Sequence, residues 1–245
     1  MNNYETEAIV IGSANFGDAD KIVTLFTANQ GKVRASAFGA RRPKSPLAAP
    51  LQMFHIVEAD LSEGYSLDTL KRASIKKRYK KFGEDLETFA YGMFAAEILC
   101  EIFGEKQAEP EVYELAIKIF DCFEKRNPRI TAVAAAWQLL FKAGFSLSTD
   151  ACPICENKIN ANKTEYAVSV KEGGFLCDYH TDVTDGIKIS AGAKKLIEDF
   201  LRLDFENPSI SVRGSYLIEV EKVLLSFLQN ILGYNPKSLK FIREL

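Results

Sequence analysis

Lys32-Val33-Arg34-Ala35-Ser36-Ala37-Phe38-Gly39 alternates without a slip: Val33, Ala35 and Ala37 fall on one side, Lys32, Arg34 and Ser36 on the other, and a glycine ends the run. A period of two marks a strand with one buried face. Similar segments lie on either side of it. Glu7 to Ile11 and Lys21 to Thr27 are short, β-branched or aromatic, and the turn-rich Ala14-Asn15-Phe16-Gly17-Asp18 between them predicts a hairpin. Phe54 to Leu61 sets Phe54, Ile56 and Glu58 against His55, Val57 and Ala59, and Leu67 to Ile75 supplies a fifth strand. Five short strands at this spacing suit a small closed sheet, of which a five-stranded oligonucleotide-binding (OB) barrel is one solution and a Src-homology-like barrel another.

After Gly83 the period changes to that of a helix. Asp85 to Phe103 is apolar nearly all round, which predicts a helix in the middle of a bundle. Val112, Leu115, Ala116, Ile119, Phe120 and Phe123 form an i, i+3, i+4, i+7 stripe opened by Pro110 and closed near Asn127-Pro128. Pro128 opens a third helix that stops at Gly144, Ser190 caps a fourth, and a fifth runs from about Ser211 to Leu232 with Gly233 ending it. Helices of this length bury their stripes against one another, so the body is expected to be an all-α domain.

The 245 residues are 47% hydrophobic and 26% charged, which excludes disordered, collagenous and coiled-coil chains. No apolar run approaches the roughly 18 to 20 residues that cross a bilayer. The start, Met1-Asn2-Asn3-Tyr4-Glu5, has neither the basic nor the apolar region of a signal peptide, so a cytoplasmic protein without a membrane partner is expected. Five cysteines, an odd number, read there as reduced thiols or metal ligands rather than a disulfide framework. The net charge of −2 averages two unlike parts: residues 1–81 hold 13 Lys and Arg against 8 Asp and Glu, and the rest hold 18 against 25. A basic head on an acidic body points to a polyanion partner for the head, or to a solvated surface.

Residues 150–182 fit neither period. Cys152-Pro153-Ile154-Cys155 and Cys177-Asp178-Tyr179-His180 are two C-x-x-C/H pairs with 21 residues between them. A two-residue spacer lets both side chains of a knuckle face one ion, and thiolate with imidazole suits Zn²⁺. Tyr166 to Val170 followed by Lys171-Glu172-Gly173-Gly174 predicts a hairpin, turning at the glycines, that brings Cys177 beside Cys152. A redox C-x-x-C or inert core thiols are the other readings. Four protein ligands leave no open position, so one zinc here would be structural, and the insert would need it to fold. The expected organisation is residues 1–81 as the barrel, 82–149 and 183–245 as the two parts of a helical domain, and 150–182 as the inserted knuckle.

Little suggests catalysis. His180 belongs to the knuckle, and His55 reads as a structural histidine. Phosphate loops, nucleophile elbows, H-E-x-x-H and carboxylate clusters are absent from the sequence. Glu97 reads as an architectural carboxylate, and Cys100 and Cys122 as core. No enzyme is expected.

Basic residues gather in two places. Gly39-Ala40-Arg41-Arg42-Pro43-Lys44-Ser45 is a loop directly after a strand, and residues 71–81 hold seven Lys and Arg. A positive segment beside a strand face can follow a phosphate backbone, and Phe38, Tyr65 or Tyr79 could stack on bases. The competing readings are a solvated connector for Lys76 to Lys81 and a core position for Phe38, the latter favoured. Arg34, Arg41, Arg42, Lys44, Lys71, Arg72, Lys76, Lys77, Arg78 and Lys80 are the expected nucleic-acid contacts.

Glu7-Ala8-Ile9-Val10-Ile11, Phe16-Gly17-Asp18-Ala19-Asp20-Lys21-Ile22-Val23-Thr24-Leu25-Phe26-Thr27, Gly31-Lys32-Val33 and Phe38-Gly39-Ala40-Arg41-Arg42-Pro43-Lys44-Ser45 together resemble the N-terminal signature of the bacterial recombination mediator family RecO. Cys152-Pro153-Ile154-Cys155 and Gly173-Gly174-Phe175-Leu176-Cys177 stand where that family carries its metal module. The resemblance implies an N-terminal OB-fold barrel, then a helical domain interrupted by the zinc knuckle, where His180 replaces the fourth cysteine of many members. It also implies a DNA repair and homologous recombination mediator of the RecF pathway, without turnover, associated with the nucleoid. Such a protein binds single-stranded and also duplex DNA, anneals complementary strands, works with RecR, and helps load recombinase onto DNA coated by single-strand-binding protein. The alternative reading is a protein-protein adaptor whose helical and zinc body is the working surface.

Overall fold

The computed structural model describes residues 2–181 and 186–245. The chain divides into two compact units, Met1–Pro128 with Phe241–Leu245, and Arg129–Lys240.

In the first unit β1 (Asn3–Phe16), β2 (Asp20–Thr27), β3 (Gly31–Ala37), β4 (Ile56–Ser62) and β5 (Asp68–Lys77) close into a barrel of order β1-β2-β3-β5-β4. This is an OB-fold barrel. The alternation in β3 is realised as read: Val33, Ala35 and Ala37 are fully buried while Arg34 is exposed. They meet Ala8, Val10, Val23, Leu25, Val57, Ala59 and Leu61 in the lumen, where small and branched side chains suit the narrow interior. β1 runs well past its apolar segment to Phe16. Ser13 to Phe16 are exposed and carry no alternation, yet they pair with β2 from Ser13↔Val23 to Phe16↔Asp20. The hairpin turns at Gly17, whose φ of +54° favours glycine.

Only Ala35↔Asp68 and Ser36↔Thr69 join β3 to β5, the one parallel pairing in the barrel. The Asp68 carboxylate is buried at this junction, and it accepts from Tyr4 Oη at 2.5 Å, Lys106 Nζ at 2.8 Å and Gly64 N at 3.0 Å. Burial pushes its carboxyl up, but the hydrogen bonds from Lys106, Tyr4 and Gly64, with the Lys106 charge, outweigh that and hold it below the usual carboxylate range.

Three helices follow the barrel in this unit: α1 (Lys81–Glu84), α2 (Leu86–Ile102) and α3 (Pro110–Phe123). The Asp85 side chain caps α2 by accepting from Glu87 N and Thr88 N. α2 was expected in the middle of a helical bundle, and here the barrel is one of its neighbours. Lys32 Nζ on β3 donates to Cys100 O of α2, and Cys100 Sγ lies 3.9 Å from Ile11 O of β1. Phe54, at φ +68°, leaves the strand expected for it and inserts between the helices, with ring centroids 4.4 Å from Phe82 and 5.4 Å from both Phe89 and Phe120. Gly92 is required by this packing, because a Cβ there would lie 2.5 Å from the Phe82 ring. Tyr79 is buried in the same cluster, where its hydroxyl donates to Asp121. Its ring, packed against Phe82 and Phe120, is not available to stack on a base.

The second unit holds most of α4 (Pro128–Lys142), a sheet of order β7-β6-β8 built from β6 (Glu165–Ser169), β7 (Gly174–Phe175) and β8 (Ile187–Ser190), then α5 (Ala191–Leu201), α6 (Gly214–Leu232) and the start of α7 (Ser238–Arg243). Trp137 of α4 stacks on Phe227 of α6, and Arg129 makes two bonds to Glu221. Ser190 ends β8 and caps α5, its Oγ accepting from Ala193 N as the sequence suggested. Gly233 ends α6 at φ +78°. The insert hairpin turns at Gly173, φ +76°, while Gly174 already pairs with Ser169. β8 was not anticipated; the expected boundary at 182 and 183 lies outside the described residues. Among the described residues no helix is long and apolar enough to cross a membrane.

Replacing Asp68 with Asn should lower stability by about 1–3 kcal/mol at pH 7, the cost of leaving buried partners poorly satisfied. Because folding depresses the Asp68 pKa, the gap from wild type should be full above the unfolded carboxyl value of about 3.9 and shrink as pH falls through the lower folded value. Urea titrations of both proteins across that range measure it, and equal stability at pH 7 would contradict it.

Candidate metal centre and nucleic-acid interface

The two knuckles of the insert converge as their spacing suggested. The β6–β7 hairpin, with Leu176 N donating to Ala167 O, delivers Cys177 to the first knuckle. The ligand atoms of Cys152, Cys155, Cys177 and His180 all lie within 4.8 Å of one another. Cys155 Sγ is 3.6 Å from Cys177 Sγ, and His180 Nδ1 is 3.6 Å from Cys152 Sγ and 3.3 Å from Cys177 Sγ. A tetrahedral ion with metal–sulfur bonds of about 2.3 Å has edges of about 3.5–3.8 Å, so these separations suit one ion at the centre. They exceed the roughly 2.05 Å of a disulfide. Burial raises the Cys152 thiol, but backbone N–H groups of Cys177, Ile154 and Cys155 outweigh it and bring the group down to about 6, which favours the thiolate a metal takes. The cluster can hold a metal ion.

The ten basic residues expected at a nucleic-acid site fall into two unlike settings. Arg34 stands on the outer face of β3, 3.9 Å from Glu105. Arg41, Arg42 and Lys44 are exposed in the connection after β3 and make no ion pair among the described residues. This connection is fastened to the β1–β2 turn: Arg41 N donates to Ala19 O at 2.8 Å, Arg41 Nη1 to Gly17 O at 3.2 Å, and Gly39 N to Asp20 Oδ1 at 2.7 Å. The structure thus brings the arginine segment to the mouth of the first hairpin. Asp18 and Asp20 are the acids in this turn.

The residues from β5 onward sit among carboxylates. Lys76 is paired with Glu7 and Glu58, and Lys77 with Asp121 at 2.5 Å. Arg72 lies opposite Asp60 across the β4–β5 ladder, and Lys71 donates to Asn3 Oδ1 at 2.7 Å. Arg72 and Lys71 share a cleft of about 320 Å³ with Glu5, Glu58 and Asp60. Burial pushes the Glu7 carboxyl up, but hydrogen bonds from Lys76 and Tyr113, with the Lys76 charge, outweigh it and hold it low. Arg78 and Lys80 are exposed, and Lys81 closes the C-terminal end of α3 by donating to Phe123 O and Arg126 O.

Other sequence candidates are structural. His55 Nδ1 is 3.0 Å from Ala49 O, Cys122 is buried, and burial pushes the Cys100 thiol up to about 12. Phe38 corrects the favoured core reading: it is 61% exposed, because it follows the buried Ala37 and so falls on the outer parity of β3. Phe16, 55% exposed, was not singled out at all. Phe-Gly pairs are no signal for it in the sequence, since Phe82-Gly83 and Phe103-Gly104 hold buried rings; what Phe16 and Phe38 share is a following glycine at positive φ, which only the structure shows.

Comparison with known proteins gives matches over nearly the whole chain. Residues 1–79 match the family model described as Recombination protein O N terminal, and residues 83–240 the one described as Recombination protein O C terminal. The chain is 32% identical to a DNA repair protein RecO of Symbiobacterium thermophilum over 249 aligned residues, covering 100% of this chain and 98% of that protein. It is 31% identical to a DNA repair protein RecO of Clostridium novyi, covering 100% and 95%, and 30% identical to one of Bacillus cereus, covering 98% and 97%.

Titration of the metal-stripped protein with Co²⁺ should give the intense visible absorption of a tetrahedral thiolate site at one equivalent, and Cys155→Ser should weaken binding by tenfold or more. Weak octahedral absorption in the wild-type protein would contradict the ligand set.

Proposed function

The chain belongs to the Recombination protein O family, and on that premise we propose that it binds single-stranded DNA at the β1–β2–β3 end of its barrel and acts there as a recombination mediator. A role in DNA repair and recombination follows from the family. The observation that carries the finer reading is the loop of Arg41, Arg42 and Lys44, free of carboxylate partners among the described residues and fastened to the first hairpin. OB barrels use the face of their second and third strands and the adjoining loops for oligonucleotides, and Arg34 lies on that face.

Phosphate contact by these four residues, helped by Lys71, Arg72, Arg78 and Lys80 at the margin, gives sequence-independent affinity. Lys76 and Lys77 contribute least, since both already face carboxylates. Two strands held with phosphates screened and bases free can pair, which is the annealing step. Duplex DNA, with the same phosphates, is a weaker ligand. No bond is made or broken by the protein, and recombinase loading is a matter of handing over the strand.

Zn²⁺ is the ion proposed for Cys152, Cys155, Cys177 and His180; it would supply a closed structural clasp that orders the insert. RecR and single-strand-binding protein are the proposed protein partners, on nucleoid DNA in the cytoplasm. The adaptor reading is favoured by exposed apolar side chains of the second unit, Phe141 and Ile218 among them, and is compatible with DNA binding by the barrel.

Anisotropy titrations with a single-stranded oligonucleotide at several salt concentrations test the proposal. If about five phosphates are neutralised, log K should fall with log salt at a slope of roughly −3 to −4. Replacing Arg41, Arg42 and Lys44 by Ala should flatten it by about 2, whereas Lys76→Ala with Lys77→Ala should leave it close to wild type. RecR capture should survive the triple change. A salt-independent wild type, or a triple variant with the wild-type slope, would overturn the assignment.

A further inference from the structure

We propose that Phe16 and Phe38 form a stacking platform for the unpaired bases of the strand whose phosphates lie on Arg41 and Arg42. The proposal rests on the nucleic-acid reading above and adds to it how the site distinguishes a single strand from a duplex.

Strand parity puts the two rings on one surface. Phe16 pairs with Asp20 across the first hairpin, and Lys21 pairs with Ala37, so that Phe38, one residue on, continues the row beyond Asp20. Val23 and Ala35, which alternate with these positions, point into the lumen, so Asp20, Phe16 and Phe38 face outward. Phe16 is the last residue of β1 and Phe38 the first after β3, and each is followed at once by a left-handed glycine, Gly17 at +54° and Gly39 at +66°. The chain turns away behind the ring instead of covering it.

The two turns are also locked to each other. Gly39 N donates to Asp20 Oδ1, Arg41 N to Ala19 O and Arg41 Nη1 to Gly17 O. The backbone positions that carry the rings are therefore held in a fixed relation before any ligand arrives, which lowers the ordering cost of binding.

Two exposed phenylalanines at the ends of the strands that flank β2 are a costly surface unless something covers them. The neighbours say what. Arg41, Arg42 and Lys44 carry charge with no carboxylate partner among the described residues, which suits a polyanion, and Asp20, the acid between the rings, is engaged by Gly39. A ligand with apolar flat faces and regularly spaced anions is a single nucleic-acid strand. A duplex offers the same phosphates but hides its base faces in the stack.

The test compares oligothymidylate with an abasic oligomer of the same length, which keeps every phosphate and loses every base. Wild-type protein should bind oligothymidylate about tenfold or more tightly than the abasic strand. Phe16→Ala with Phe38→Ala should reduce oligothymidylate affinity to the abasic level while leaving the salt slope unchanged, and Phe38→Trp should retain the preference. Both rings are outside the core, so circular dichroism should be unaltered. Equal, salt-sensitive binding of the two strands overturns the platform and leaves the phosphate reading standing. Equal binding accompanied by loss of RecR capture in the double variant also overturns it and assigns the rings to a protein. Absence of binding to either strand overturns both.

Discussion

Closure of the barrel through the short parallel contact between β3 and β5 governs where the chain can go next. Two register pairs suffice to seal the sheet, and the strand that follows β3 in sequence cannot be its neighbour in space. The chain must leave the barrel after Ala37 and return as β4 on its far side. That excursion both closes and exposes. Ala40, Leu47 and Leu51 are buried in the barrel core, while Arg41, Arg42 and Lys44 are left in solvent. One connection therefore caps the hydrophobic interior and displays the positive charge, and Asp68 secures the junction that makes the detour necessary.

Charge counted along the chain is a poor guide to charge available to a ligand. Residues 71–81 are the denser basic segment, yet β5 lies beside β4, which in turn lies beside β1, and the outward positions of those two strands include Glu58, Asp60, Glu5 and Glu7. Lys76 and Lys77 are largely spent on those acids and on Asp121. Exposed ion pairs of this kind add little to stability, but they neutralise the field a phosphate would feel. Among the described residues the three charges of the arginine segment have no such partners.

Much of the architecture was legible because it follows from period. Alternation in Lys32 to Phe38, the stripe from Val112 to Phe123, the Ser190 cap and the Gly233 stop all depend on local chemistry that neighbours in sequence reveal. The metal set was legible for the same reason, since two knuckles and a hairpin specify it. Features fixed by distant partners were not. Nothing in Ser13 to Phe16 shows that these residues extend β1, because both sides are exposed and only pairing with β2 orders them. Phe54 looks like a strand residue until its positive φ turns it toward Phe82 and Phe120. Tyr79 and Phe38 exchanged places for a like reason: the helices that bury Tyr79 and the parity that exposes Phe38 are both set by tertiary context.

The claim on which the account rests is that a single strand lies across the first hairpin and the arginine segment. Photocrosslinking of the intact protein to oligothymidylate, followed by peptide mapping, tests it with the least interpretation. The account predicts that the crosslinked peptides come from residues 16–44. Crosslinks confined to residues 71–80, or to the unit from Arg129 to Lys240, would contradict it.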